Sequence, residues 1–164
     1  MRIELDLRHA LDAPVSPPDY DPNLDDVRSI IAHLCDAVSD KGVFIVSGFG
    51  QERWPVDSLD LADFLEQLPE ALLAIASGRE AIIDFYEQGI ERTITFSSEG
   101  EVYLLSCVSG TCWQPNPPAE TMDRRALEEM LSAAKSNFIQ FIEKAAPELI
   151  DHPWVVSWLQ GEPL

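Results

Sequence analysis

The chain has 164 residues, 46% of them hydrophobic, and carries 29 acidic against 11 basic residues, for a formal net charge of -18. This length fits one domain with its own hydrophobic core. A disordered acidic tail would be poor in large apolar residues, so we expect the charge to coat a folded body. Such a body repels nucleic acid and anionic membranes, and we predict that its partner is a basic protein.

The sequence also predicts a cytoplasmic protein. Residues 1–8 alternate between charged and apolar types, whereas a signal peptide needs a continuous apolar run. No apolar stretch approaches the ~20 residues of a membrane-spanning helix. Cys35, Cys107 and Cys112 are odd in number and irregularly spaced, which indicates free thiols in a reducing compartment.

The N-terminal portion, residues 1–50, is predicted to fold as strand, helix and strand. Apolar and polar residues alternate over 3–8, as in a half-buried strand. The proline-rich stretch 10–24 predicts an irregular loop. Apolar residues at helical spacing over 27–38 predict a helix, and the run 43–46 is apolar on both faces, as in an interior strand.

A second portion, residues 54–160, begins with an amphipathic helix. Asp57 or Ser58 can cap this helix, because short polar side chains accept hydrogen bonds from first-turn N–H groups. Pro69 lies in its middle and should kink the helix or begin a new one.

The rest of this portion predicts a β-meander followed by a long helix. Strand-like segments at 81–87, 90–96 and 101–108 are separated by turn sequences. Helical spacing then runs from Thr121 to about Ala146. We therefore predict one α+β domain: an antiparallel meander extended by one or two N-terminal strands, with amphipathic helices packed on it.

The metal-ligating patterns in the sequence are incomplete. Segment 19–25 places oxygen ligands at alternate positions, but Leu24 stands where a calcium loop needs Gly and Ile30 where it needs Glu. Cys107 and Cys112 lack the second ligand pair of a structural zinc site. We expect neither a metal nor another cofactor.

Catalytic motifs are also missing. The three histidines, His9, His33 and His152, lie beside no recognisable nucleophile, and there is no G-x-S-x-G, phosphate loop or H-E-x-x-H pattern. We therefore predict that the protein is not an enzyme.

One acidic helix face is the main candidate for binding a partner. Asp60, Asp63 and Glu66 group opposite the apolar residues of the helix. No Lys or Arg lies between Trp54 and Gly78, so pairing within the helix cannot neutralise these acids. We predict that they point to solvent and dock onto basic residues of the partner.

Two further sets of residues are candidates for the same interface. Trp54 and Trp113 lie beside prolines in predicted connectors, where an exposed indole could anchor a partner. Glu87 and Glu91 flank a turn of the meander and offer a second acidic face. With 29 acidic residues, however, solvation alone also explains many of them.

Residues 54–160 show a recognisable order of elements: the helix from Asp57 to Leu68 ending in Pro69, the meander with Asp84-Phe85-Tyr86-Glu87-Gln88-Gly89, then Trp113-Gln114-Pro115 and a terminal amphipathic helix. In this order and in its charge, the segment resembles small acidic immunity proteins of bacterial polymorphic-toxin and contact-dependent inhibition systems. The resemblance implies a cytosolic protein without catalytic residues that binds and blocks a basic toxin domain.

Two other functions remain open at this point. One is a metal-dependent hydrolase whose site is assembled from scattered carboxylates, which would require a concave acidic cluster with shifted pKa values. The other is a chaperone or adaptor for a secreted effector, in which apolar grooves would matter more than charge.

Overall fold

The chain folds into helices packed against two antiparallel sheets in the computed structural model, which describes residues 1–8, 10 and 14–162. The elements are β1 (Arg2–Asp6), α1 (Val27–Asp36), β2 (Val43–Ser47), α2 (Ser58–Ala76), β3 (Ala81–Phe85), β4 (Arg92–Glu99), β5 (Val102–Ser109), β6 (Ala119–Asp123), α3 (Arg124–Ala145) and α4 (Pro153–Leu159). A 3-10 turn at Pro147–Leu149 separates the last two helices. The predicted α+β class is confirmed, and residues 11–13 of the predicted loop lie outside the described residues.

The larger sheet is a meander in the order β3-β4-β5-β6. Its inward residues are large and apolar, among them Phe85, Ile94, Phe96 and Leu105, and they form part of the main core. The three predicted strands are confirmed, whereas β6 was missed and the last long helix begins at Arg124 instead of Thr121. The β6 sequence has little apolar alternation, so its pairing with β5 decides its structure.

The two N-terminal strands form a separate sheet and do not extend the meander. Within the described part of the chain, β1 pairs with β2 alone. α3 covers its other edge, where Ile3 N donates to Met130 Sδ at 3.2 Å and Asn137 Nδ2 donates to Leu5 O at 2.7 Å. β2 is therefore an edge strand, and the prediction that it lies in the sheet interior is wrong. Its first residue, Val43, is exposed.

α2 begins at the predicted cap and continues through its proline. Asp57 is the N-cap, as expected. Pro69 cannot donate to Leu65 O, the bond that an ordinary residue would make there. Trp158 of α4 supplies the missing donor, because its Nε1 lies 2.9 Å from Leu65 O and 3.1 Å from Glu66 O. The prediction that Pro69 begins a second helix is therefore wrong, because α2 continues through it to Ala76; the predicted kink stays a prediction.

Candidate partner-binding surface

Arg28, in the first turn of α1, lies at the centre of a group of acidic side chains from α2 and the β3–β4 loop. Its Nη2 lies 3.1 Å from Asp63 Oδ1 and 2.7 Å from Glu87 Oε1, and its Nε lies 3.2 Å from Glu66 Oε2. The Tyr86 hydroxyl accepts from Arg28 Nε at 2.7 Å and donates to Glu66 Oε2 at 2.7 Å. These five residues are named the Arg28 cluster.

The Arg28 cluster places three carboxylates around one guanidinium, so its negative charge is only partly compensated. Burial lowers the pKa of Arg28, but hydrogen bonds with Tyr86, Asp63 and Glu87 outweigh burial and raise that pKa. Burial raises the pKa of Asp63 in turn, although the Arg28 guanidinium and the Glu87 N–H oppose this rise. Arg28 therefore stays charged while it holds a buried carboxylate in place.

One side of the cluster is open to solvent. Tyr86 is 44% exposed, and the Arg28 Cζ lies 5.3 Å from the centre of its ring. Glu66 and Glu87 are half-buried, and Asp63 is fully buried. The exposed part therefore combines an aromatic ring with two partly exposed carboxylates, a combination that suits a cationic side chain with an apolar stem.

The prediction that Asp60, Asp63 and Glu66 form an unpaired face directed to solvent is wrong. Asp60 and Asp63 are buried, and Asp63 and Glu66 pair with Arg28. The neutralising cation is Arg28 of α1, so the absence of Lys and Arg along the acidic helix does not leave its carboxylates unpaired. Their binding to a partner stays a prediction, but the variants that would test it must spare the two buried aspartates.

Asp60 has a structural role at the start of α2. Its Oδ2 accepts from Asp57 N at 2.9 Å, while Asp57 Oδ1 accepts from the N–H groups of Leu59 and Asp60, which completes a capping box. Its Oδ1 is buried without a hydrogen-bond partner among the described residues. Burial, together with the charges of Asp57, Asp63 and Glu87, raises the pKa of Asp60 to about 6.

Arg92, the first residue of β4, lies between two indole rings. Its Cζ is 4.3 Å from the Trp54 ring centre and 3.5 Å from that of Trp113, within the range of cation–π interactions. Arg92 is 3% exposed, and its Nε and Nη1 have no hydrogen-bond partner in the described part of the chain. Burial lowers the pKa of Arg92, and the nearby Cys107 and Asp60 oppose that shift. Trp54, Arg92 and Trp113 are named the indole stack.

The prediction that both tryptophans are exposed anchors for a partner is wrong for Trp54. Trp54 is 1% exposed and cannot be a surface anchor. Its backbone N–H donates to Val46 O at 2.8 Å, and its indole packs against the buried rings of Phe49 and Phe85. Trp113 is half-buried and packs on Arg92, so it remains a candidate at the margin of an interface.

The structure separates the two residues of the second predicted acidic face. Glu87 belongs to the Arg28 cluster, whereas Glu91 is exposed and forms no ion pair with any described residue. The Glu91 backbone has a φ of 43°, and its carbonyl accepts from Gly110 N at 2.7 Å. Asp63, Glu66 and Glu87 thus come together, while Glu91 stands apart.

Sequence reasoning missed Arg28, Tyr86 and Arg92. For Arg92 a signal existed, because it shares the alternating positions of the inward-facing Ile94 and Phe96. No comparable signal existed for Arg28, since the carboxylates that it binds lie at least 35 positions further along the chain.

The candidate metal ligands form no metal site among the described residues, and none of the cysteines is bonded to another. Among the described residues, no three His, Cys, Asp or Glu side chains are grouped so that they could hold a metal ion. Asp21 accepts hydrogen bonds from the backbone and side chain of Asn23 instead. All three cysteines are free, and Cys35 and Cys107 are buried; burial raises the pKa of Cys107 to about 11.

Comparison with known proteins finds no match: no protein-family model, no curated protein and no solved structure matches this chain. The resemblance to immunity proteins therefore stays a prediction from the order of elements and from charge. Within residues 1–8, 10 and 14–162, no helix combines the length and apolar character needed to cross a membrane.

Proposed function

We propose that this protein is a non-enzymatic binding protein that neutralises a basic partner, in the manner of an immunity protein that blocks a toxin domain. The observation that carries the proposal is the negative charge that remains after the cations of the chain have been paired. The net charge is -18, and it is spread over a folded α+β body. Such a surface attracts a basic protein over a distance of several ångströms and favours its association.

Most arginines interact with other residues of the same chain. Four of them pair with acidic residues two or four positions away in the sequence: Arg2, Arg8, Arg124 and Arg125. Arg28 is surrounded by three carboxylates, and Arg92 is buried between two indoles. Little positive charge is therefore left to offset the many exposed acids.

We assign the Arg28 cluster as the centre of the interface. Arg28 holds Glu66, Tyr86 and Glu87 in fixed positions before any partner arrives, so these side chains lose little conformational entropy on binding. A lysine or arginine of the partner can bind the exposed carboxylate oxygens and lay its stem on the exposed part of the tyrosine ring.

Affinity capture followed by a salt series tests the charge argument. The captured partner should be basic, and its association rate should fall between ~0.1 M and ~1 M salt, where the screening length shrinks from ~10 Å to ~3 Å. An acidic or neutral partner, or an association rate that ignores ionic strength, would contradict the proposal.

Matched single-charge variants test the place of the interface. Glu87→Gln should weaken binding of the captured partner by about tenfold, as expected for the loss of one charged hydrogen bond. Glu143→Gln removes the same charge from an exposed position on α3 and should change affinity by less than about twofold. The affinity of Glu91→Gln for the captured partner tests whether exposed Glu91 also belongs to the interface. Equal effects of all three variants would show that only the net charge matters and would remove the cluster from the interface.

A further inference from the structure

A groove of about 300 Å³ lies along the outer edge of β2, between that strand, α1 and the segment that leads into α2. Its apolar walls come from β1 and the residue after it, the turn after α1, β2, the segment before α2, and α2 itself: Leu5, Leu7, Val38, Phe44, Val56 and Leu61. Arg53, Asp57 and Ser58 provide polar groups. The groove lies outside the Arg28 cluster and the indole stack.

The register of the small sheet shows which backbone groups face this groove. Leu5 is opposite Phe44, and Leu5 O accepts from Asn137 Nδ2 at 2.7 Å, so the backbone groups of Leu5 point away from β2. In an antiparallel pair of this kind the opposite residue also directs its N–H and C=O outward, here away from β1. The pattern holds two residues further along β2, where Val46 O accepts from Trp54 N at 2.8 Å.

Along the outer edge of β2, Val46 is hydrogen-bonded and Phe44 is not. Trp54 N donates to Val46 O, and α2 begins at Ser58, four residues after Trp54. Phe44, which lines the groove, has no hydrogen-bond partner for its outward N–H and C=O among the described residues. An exposed strand edge with unpaired backbone groups is a template for an added peptide strand.

The charge at the groove is provided by Arg53. This residue is exposed and forms no ion pair with any described residue. Asp57 also lines the groove, but its carboxylate already accepts from the first-turn N–H groups of α2. A ligand that reaches this end of the groove meets a guanidinium free to bind an anion.

We propose that this groove binds the C-terminal end of an extended peptide. The peptide main chain pairs with the N–H and C=O of Phe44, its last apolar side chain fills the space between Leu7, Val38 and Leu61, and its terminal carboxylate binds Arg53. A volume of about 300 Å³ is at the lower limit for ligand sites, which suits one or two terminal residues. This inference is independent of the proposed function.

An NMR titration tests the proposal with an acetylated pentapeptide that ends in Val-Leu and carries a free carboxylate. The peptide should shift the backbone amide resonance of Phe44 and the side-chain Nε resonance of Arg53. Amidation of the peptide terminus should weaken binding about tenfold, since it removes one charge-assisted hydrogen bond. Arg53→Gln should abolish that difference, while Arg79→Gln, which changes another exposed arginine, should leave it unchanged.

Three results would overturn the proposal. The first is an unshifted Phe44 amide at millimolar peptide. The second is equal binding of the acid and amide forms of the peptide. The third is octanoate binding as tightly as the peptide, because octanoate carries an apolar chain and a carboxylate but no peptide groups to pair with β2. None of these results depends on the basic partner, whose capture should be unaffected by Arg53→Gln.

Discussion

At the scale of single residues, the unusual feature of this protein is charge placed inside the fold. Asp63 has no exposed surface, Asp60 and Arg92 have almost none, and each is supported differently. Asp63 has a guanidinium partner, Asp60 closes a capping box, and Arg92 has two aromatic faces. A buried charge is costly unless it is compensated, so removing a compensating group should matter more than removing an exposed ion pair.

The first prediction concerns Arg28. Arg28→Ala leaves Asp63 buried without its cation, and we expect the free energy of unfolding to fall by about 2–3 kcal/mol. Arg125→Ala breaks an exposed ion pair with Glu129 and should cost less than about 1 kcal/mol. Urea unfolding of both variants measures the difference. Equal losses would mean that Arg28 contributes no more than a surface arginine.

The second prediction concerns the pH dependence of stability at Asp60. Its pKa is about 6 in the folded protein against an ordinary value of 3.8, so the folded state binds this proton more tightly than the unfolded state does. Ionisation of Asp60 therefore lowers the free energy of unfolding as pH rises from 3.8 to about 6. Above that range the whole of this loss is present.

Asp60→Asn cannot ionise and keeps an acceptor for the Asp57 N–H. Relative to wild type, its free energy of unfolding should rise by roughly 2 kcal/mol between about pH 4 and about pH 7. Urea titrations at several pH values measure this difference, and other carboxylates cancel in the comparison. Parallel stability curves for the two proteins would show that the pKa of Asp60 is not raised.

At the scale of elements, α2 shows how a helix tolerates an internal proline. The carbonyl of Leu65 would be left without a donor, and the indole N–H of Trp158 takes the place of the missing backbone N–H. The same hydrogen bond joins α4 to α2. The backbone carbonyl that Pro69 leaves without a donor in α2 is thus the acceptor for a side chain of α4.

The third prediction is a coupling between these two positions. Trp158→Phe removes the indole donor and should destabilise the protein by about 2–3 kcal/mol, through the unsatisfied carbonyl and lost packing. In a Pro69→Ala background the restored backbone N–H can satisfy Leu65 O, so the same change should cost about 1 kcal/mol less. A double-mutant cycle in urea measures the coupling, and strictly additive costs would refute it.

Local sequence signals predicted some elements well and others poorly. The cap at Asp57 and the strands of the meander follow from capping chemistry and alternation, which involve neighbouring residues only. β6 depends on pairing with β5, and the continuity of α2 depends on Trp158, 89 positions after Pro69. The acids of α2 were likewise predicted to be unpaired because their cation, Arg28, lies on a different helix.

At the scale of the whole molecule, net charge could be obtained from composition, but its distribution could not. A charge of -18 makes the folded body repel itself, and folding brings these charges closer together than in the unfolded chain. The Arg28 cluster relieves only part of this repulsion, and it does so at one place. The remaining self-repulsion should make stability sensitive to salt.

The fourth prediction is that salt stabilises this protein. Raising NaCl from ~0.02 M to ~0.5 M at neutral pH should raise Tm by roughly 3–6 °C, because screening reduces repulsion among the acids. The increase should shrink near pH 5, closer to the isoelectric point of about 4.2. Differential scanning calorimetry measures both. An unchanged or falling Tm at neutral pH would mean that attractive pairs outweigh the net charge.

The indole stack also gives the protein an optical property. The rings of Trp54 and Trp113 are 6.0 Å apart and inclined by 61°, so their electronic transitions are close enough to couple and should produce a paired positive and negative band in circular dichroism. Trp113→Phe should abolish that pair of bands. Because the two rings come from segments far apart in sequence, the band intensity reports whether the connector that carries Trp113 is seated on the sheet, without any added dye or label.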